Sequence, residues 1–188
     1  MKKGTLVYGV GTNDADYQVA TTGAIDSKRE VIWRCPYYQR WVNMLERVYG
    51  SDRPAYTDVS VCKDWLVFSN FRSWMEAQDW QGKELDKDVL GASVYGPDTC
   101  LFVHKVVNML SIVGNARQDK NSGSWYGLVR TPKGRIKTKR YRTEREACLA
   151  MYELKSETVD SLDNLVCPEW QKPLVKDSLY RRLIKENL

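Results

Sequence analysis

LDKDVLGASVYGPDTCLFVHKVVNMLSI, residues 85 to 112, is the stretch on which the fold of this chain turns. Asp86 and Asp88 close one apolar run, and a turn-rich loop with Gly91, Gly96 and Pro97 follows. Cys100 to Val103 has the look of a short buried strand, and it runs straight into a segment of helical period. His104, the one histidine of the chain, stands where that segment starts, and Asn108 follows four residues on. That spacing sets both side chains on one helix face. Strand-end carboxylates, a loop, a strand and a helix bearing His and Asn make a path able to converge on a divalent cation. Such donors suit Mg2+ or Mn2+ by hardness, and Zn2+ is disfavoured without a third nitrogen or a thiolate. Plainer roles stand beside this one: Asp86 and Asp88 as solvated turn carboxylates, His104 as a helix cap. Asn108 is the more telling residue, because among Val106, Val107, Met109 and Leu110 a polar group needs a partner.

Working outward, 188 residues suffice for one domain with a sizeable core or for two small ones. No apolar run approaches the roughly 20 residues of a membrane span. The start, MKKGTLVYGVGTND, is basic, but its apolar run is too broken for a secretory signal, so an intracellular protein is expected. Cys35, Cys62, Cys100, Cys148 and Cys167 are widely spaced, without a CxxC pair, and fit reduced thiols better than a disulfide framework. A structural metal site built from Cys35, Cys62 and Cys100 is the lesser alternative.

Ahead of the opening stretch, CPYYQRWVNMLERVYG (35–50) predicts a helix, with Tyr38, Trp41, Leu45 and Val48 on its apolar side. Pro36 suits its first position and Gly50 its end. Val59 to Cys62 is a strand candidate. Lys63 to Trp80 is expected as a second helix, with Trp65, Phe68, Phe71, Trp74 and Met75 as its stripe. With 7 Trp and 11 Tyr in the chain, a core packed mainly by rings follows. Thr5 to Val10 and Glu30 to Trp33 are further strand candidates. GVGTND lacks the spacing of a phosphate-binding loop, so nucleotide binding receives little weight.

After the opening stretch, GNARQDKNSGS (114–124) has the composition of a linker. SWYGLVRT and GRIKTKRYR then predict two strands joined at Pro132 to Gly134. Thr143 and Glu146 have capping-box spacing for a helix through Ala147, Ala150, Met151 and Leu154. Residues 115 to 142 hold nine Lys or Arg against one Asp, a local balance of +8 in a chain whose total is +5. A basic block within an otherwise mildly acidic chain is the footprint expected of nucleic-acid contact. Arg130, Arg135, Lys137, Lys139, Arg140 and Arg142 are the candidate phosphate contacts, acting as a group. Val175 to Asn187 is expected as a closing helix.

Two stretches resemble known families. CPYYQRWVNMLERVY, YTDVSVCKDWLVFSNFRSWM and ELDKDVLGASVYGPDTCLFVHKVVNML, across residues 33 to 112, are similar to bacteriophage proteins related to HNH (His-Me finger, ββα-metal) endonucleases. SWYGLVRTPKGRIKTKRYRTEREACLAMYELK resembles the three-stranded sheet plus helix of AP-two-type DNA-binding domains, in which the sheet enters the major groove. The first resemblance implies Asp86 and Asn108 as metal ligands, with His104 as a further helix ligand, and puts Lys87 where the family has its general-base His. Thr99, with Asp98 beside it, falls where that base is oriented. An ammonium of ordinary pKa cannot activate water, so the resemblance implies Asp88 or His104 as the substitute base, or a water acidified by bound Mg2+, or a fold kept with catalysis lost.

The expectation is an α+β chain. Residues 1–113 form an aromatic-rich, ββα-metal-like domain, residues 114–161 a basic DNA-binding module of three strands and a helix, and residues 162–188 a helical extension. Its expected function is metal-dependent hydrolysis of double-stranded DNA in the host cytoplasm. The alternative is a catalytically inactive DNA-binding or host-takeover protein of the same fold. A homodimer and a host-protein target are the other partners contemplated.

Overall fold

The computed structural model describes residues 6–25, 28–50, 56–112 and 114–185. The chain is α+β: five α-helices and several two-stranded ladders among the described residues. It divides into two compact units, Met1–Trp80 with Ala92–Leu101, and Gln81–Gly91 with Phe102–Leu188.

In the first unit, β1 (Ala20–Ile25) and β2 (Lys28–Arg34) form an antiparallel hairpin with an irregular register between Thr21 and Thr22. The hairpin leaves Val31, Ile32 and Trp33 exposed. Helix α1 (Pro36–Tyr49) starts on Pro36 and ends at Gly50, whose N–H donates to Glu46 O at 3.0 Å, as the sequence signals predict. The short β3 (Ser60–Val61) pairs in parallel with β5 (Val94–Tyr95). Tyr38, Trp41, Trp65, Phe68 and Phe71 are all but fully buried and meet at centroid separations of 5.0 to 5.6 Å, the range of favourable offset and edge-to-face pairs.

The expected helix from Lys63 to Trp80 is instead broken. Residues Lys63–Leu66 form a 3-10 turn, Val67 is extended, and α2 runs over Phe68–Glu76. The cause lies far off in sequence. Thr12 lays its backbone against the break, donating to Leu66 O at 2.7 Å and accepting from Phe68 N at 3.0 Å. In addition, Trp41 Nε1 donates to the carbonyl of Trp65 at 2.6 Å. Those tertiary bonds replace intrahelical ones that the aromatic periodicity alone would favour. Thr5 to Val10 is not a strand over its described part; Val7 and Gly11 form a single bridge across a tight turn.

The second unit begins with β4 (Lys83–Asp86), which pairs with β6 (Leu101–His104). Helix α3 (Lys105–Ser111) follows directly. The segment expected as a linker then forms β7 (Arg117–Gln118), antiparallel to β8 (Trp125–Tyr126). Past Gly127 the chain continues as β9 (Leu128–Thr131) and returns as β10 (Gly134–Lys137). Trp125 and Tyr141 close the far end by a pair of backbone bonds, 2.8 and 2.7 Å. Helix α4 (Glu144–Asp160) opens on the full Thr143–Glu146 capping box. The closing helix is α5 (Lys172–Tyr180), with Pro173 in its first turn, continued by a π turn over Arg181–Lys185.

Alternation sorts the residues of this sheet. Val129 is fully buried against Ala147, Cys148, Met151 and Leu183, with Trp125 and Tyr141 packed at the edge of the same cluster. Gly127 lies on that side as well. A Cβ there would stand 2.0 Å from Met151 Cγ and 2.6 Å from its sulfur, so the close approach of α4 requires glycine. Gly127→Ala is therefore expected to destabilise the unit by about 1 to 3 kcal/mol through overpacking. Urea unfolding checks this, and adding Met151→Ala to the variant should recover part of the loss.

Candidate functional site

The site residues of the opening stretch are engaged within the protein. Asp86 is buried, with Oδ1 accepting from Val89 N at 2.7 Å, so it caps the turn that ends β4. Burial pushes its carboxyl above the usual range, against the turn's N–H bonds. Lys87, also buried, places Nζ 2.6 Å from Asp88 Oδ1. The second oxygen of Asp88 takes Arg182 Nη2 at 3.1 Å. Burial alone would raise Asp88, but these two cations outweigh it and hold its carboxyl below the ordinary value. The two neighbouring carboxylates are thus shifted in opposite directions, Asp86 upward by burial and Asp88 downward by its cations.

His104 is the N-cap of α3, its Nδ1 accepting from Val106 N at 3.2 Å. Asn108, half-buried, does have the partner its setting demanded: its amide donates to Glu84, two positions before Asp86 on β4. Glu84 was missed in the sequence because a Glu in a strand edge of polar residues carries no signal of its own. Asp86, His104 and Asn108 thus take three different partners, and the bonds that engage them are those of a turn, a cap and a strand-to-helix tie. Among the described residues, no three or more His, Cys, Asp or Glu side chains are grouped as a metal ion would need. Both oxygens of the neighbouring Asp88 hold cations, Lys87 and Arg182. Thr99, in the other unit, spends its hydroxyl on Val94 O at 2.7 Å. Cys35, Cys62 and Cys100 form no disulfide.

A buried polar junction ties the segment to the C-terminal helices. Lys155 of α4, 2% exposed, donates from Nζ to Leu110 O at 2.6 Å and Ile112 O at 2.7 Å. Arg182 reaches Ser111 O at 2.9 Å. These three carbonyls are the ones left open at the C-terminus of α3. Ser178 Oγ donates to Asp88 O at 3.1 Å and Arg181 Nη2 to Val89 O at 3.0 Å. Gly91, at φ +73°, completes this turn, since a Cβ there would lie 1.5 Å from Arg181 Nη1.

The basic block presents a different picture. In the β9–β10 register, Arg130 stands directly opposite Arg135, and Lys137 opposite Leu128. Opposed residues share a face, and alternate residues repeat it. Arg130, Arg135 and Lys137 therefore project together from the side away from α4, and all three are exposed. Tyr126 belongs to the same face, with Lys137 Nζ 3.8 Å from its ring centroid, and Arg117 lies opposite Tyr126 in the β7–β8 register. The linker-like composition of 114–124 concealed the placing of Arg117 on a strand beside this face. Lys139 and Arg142 are exposed beyond the paired residues. Arg140 differs from the rest: its guanidinium is bonded to Asp119 at 2.8 Å and to Ser122 Oγ at 2.8 Å.

Like charges set directly across two strands destabilise a hairpin by tenths of a kcal/mol up to about 1 kcal/mol. The Arg130–Arg135 pair is therefore a local cost to the fold, and a polyanion laid on the face would reverse its sign. No helix of the described residues is long and apolar enough to cross a membrane. No family model, no curated protein and no solved structure matches the chain.

Proposed function

We propose that this protein binds double-stranded DNA through the exposed sheet face of Arg117, Arg130, Arg135 and Lys137, without hydrolysing it. The observation that carries the reading is the cross-strand pairing of Arg130 with Arg135 on the face turned away from α4. A two-stranded ribbon fits the major groove of B-form DNA, whereas the major groove of an A-form helix is too narrow for side chains to read. Single strands are held largely by stacking on open aromatic faces. Here the Tyr126 ring, half-buried, already carries the Lys137 ammonium. On this reading the protein would meet its DNA in the host-cell cytoplasm.

The non-catalytic part of the reading rests on Lys87. In the position that resembles the general base of the HNH pattern stands an ammonium ion-paired to Asp88, and the remaining candidate donors serve the turn, the cap and the Glu84 tie. The segment then acts as scaffold for the second unit.

Fluorescence anisotropy with a labelled duplex tests both parts. Affinity should fall steeply with salt and be unchanged by a chelator, and supercoiled plasmid should stay intact with Mg2+ or Mn2+. Nicking that requires a dication, and that Asp86→Asn abolishes, would instead establish the endonuclease reading. That variant keeps an oxygen acceptor for Val89 N, so loss of cleavage would not be loss of fold.

A further inference from the structure

We infer that Arg140 and Asp119 form a bracket that positions Arg117 and Lys120 beside the cationic face, so that Arg140 serves DNA binding as a positioning residue rather than as a phosphate contact. The inference rests on the proposed DNA-binding role and extends it to a pair that includes an acidic residue. Asp119 Oδ2 takes Arg140 Nη2 at 2.8 Å, while its Oδ1 accepts from Ser122 N at 3.0 Å and Asn121 N at 3.1 Å. Arg140 Nη1 donates to Ser122 Oγ at 2.8 Å and Ser124 Oγ at 3.3 Å. One guanidinium and one carboxylate thus hold the turn that joins β7 to β8. Ser122 N–H first, then Arg140, keep the Asp119 carboxyl down at about 2, so the pair is ionised throughout the working range.

The need for a bracket follows from the size of β7. Among the described residues its two residues pair with β8 alone, and so short an edge strand has little stability of its own. Arg117 sits on this strand and Lys120 is exposed in the turn. With the bracket closed, Arg117 stays opposite Tyr126, in line with the face that carries Lys137. With it open, two cations leave the surface that the duplex would meet.

The sign of one substitution decides the matter. A carboxylate beside a DNA-binding face repels phosphate, so by charge alone Asp119→Ala tightens binding and frees Arg140 to join it. If the bracket positions the contacts, the same substitution weakens binding. Anisotropy titrations of the full chain should show Asp119→Ala and Arg140→Ala each weakening duplex binding about tenfold, with the double variant no weaker than the worse single one. For Asp119→Ala the slope of log K against log salt should become shallower by about two, as the loss of both phosphate contacts requires. Arg140→Lys should restore part of the affinity. Amide exchange at Ser122 should accelerate in both alanine variants without DNA, while α4 stays protected.

Binding by Asp119→Ala as tight as wild type, or tighter, with Ser122 exchange accelerated, would overturn the inference and leave the DNA-binding reading intact. Unchanged Ser122 exchange in both variants would also overturn it, since no bracket would then exist. Failure of the wild type to bind any duplex would overturn both readings at once.

Discussion

Changing Arg130 and Arg135 together to glutamate is expected to lower duplex affinity about a hundredfold at moderate salt, with the salt slope shallower by about two. Both residues lie on the exposed face, directly across from one another. The double reversal keeps a like-charge pair between the strands, so hairpin stability should change little while the field over the face inverts. The single variant Arg135→Glu separates the two effects. It sets a carboxylate opposite Arg130, which should stabilise the hairpin by up to about 1 kcal/mol while still weakening DNA binding. Opposite signs for melting temperature and affinity in one variant are the signature of a face kept cationic for a ligand rather than for the fold. If Arg135→Glu binds duplex as wild type does, the contacts lie elsewhere on the protein.

The second large effect concerns pH and Lys155. Its ammonium is buried against Leu110 O and Ile112 O, and burial first, then nearby Arg182, brings its pKa down to about 8. In the unfolded chain the same group titrates near 10.5. Between these values the unfolded state binds more protons than the folded one, so Lys155 makes stability rise with pH across that window. Below about pH 8 the buried charge costs roughly 3 kcal/mol.

Lys155→Met removes that cost and also removes both bonds, leaving two carbonyls at the end of α3 without a donor, at about 1 to 3 kcal/mol each. The two changes roughly cancel at pH 7, where the variant should be close to wild type in urea unfolding. At pH 10 the wild type has shed most of its charge penalty, and the variant should be weaker by about 2 to 3 kcal/mol. Cys148, Cys167 and Tyr38, whose pKa values burial raises, shift stability the other way but equally in both proteins, so the difference isolates Lys155. A difference that stays flat from pH 7 to pH 10 would mean that the ammonium is hydrated rather than buried.

Several features of this fold were legible residue by residue. Thr143 and Glu146 announced the start of α4 because a capping box is closed within four residues. Pro36 and Gly50 bounded α1 for the same reason: the physics is local. Alternation in GRIKTKR placed Arg135 and Lys137 on one face, since a strand repeats every two residues. The requirement that Asn108 have a partner was also readable, from one amide in an apolar helix.

Other features belonged to contacts between residues far apart in the chain. The break at Val67 needs Thr12. The partner of Asn108 is Glu84, and the cations on Asp88 are its neighbour Lys87 and the remote Arg182. Arg140 has the same charge and nearly the same setting in sequence as Arg135, yet a carboxylate 21 positions earlier, Asp119, turns it inward.

The stretch from Leu85 to Ile112 shows both sides. Its strand, cap and helix were determined by the sequence itself, because period and capping act over a few residues. What its charged groups do was decided by the tertiary structure, because an ionisable side chain takes its role from whatever charge, burial and hydrogen bonds the fold brings to it.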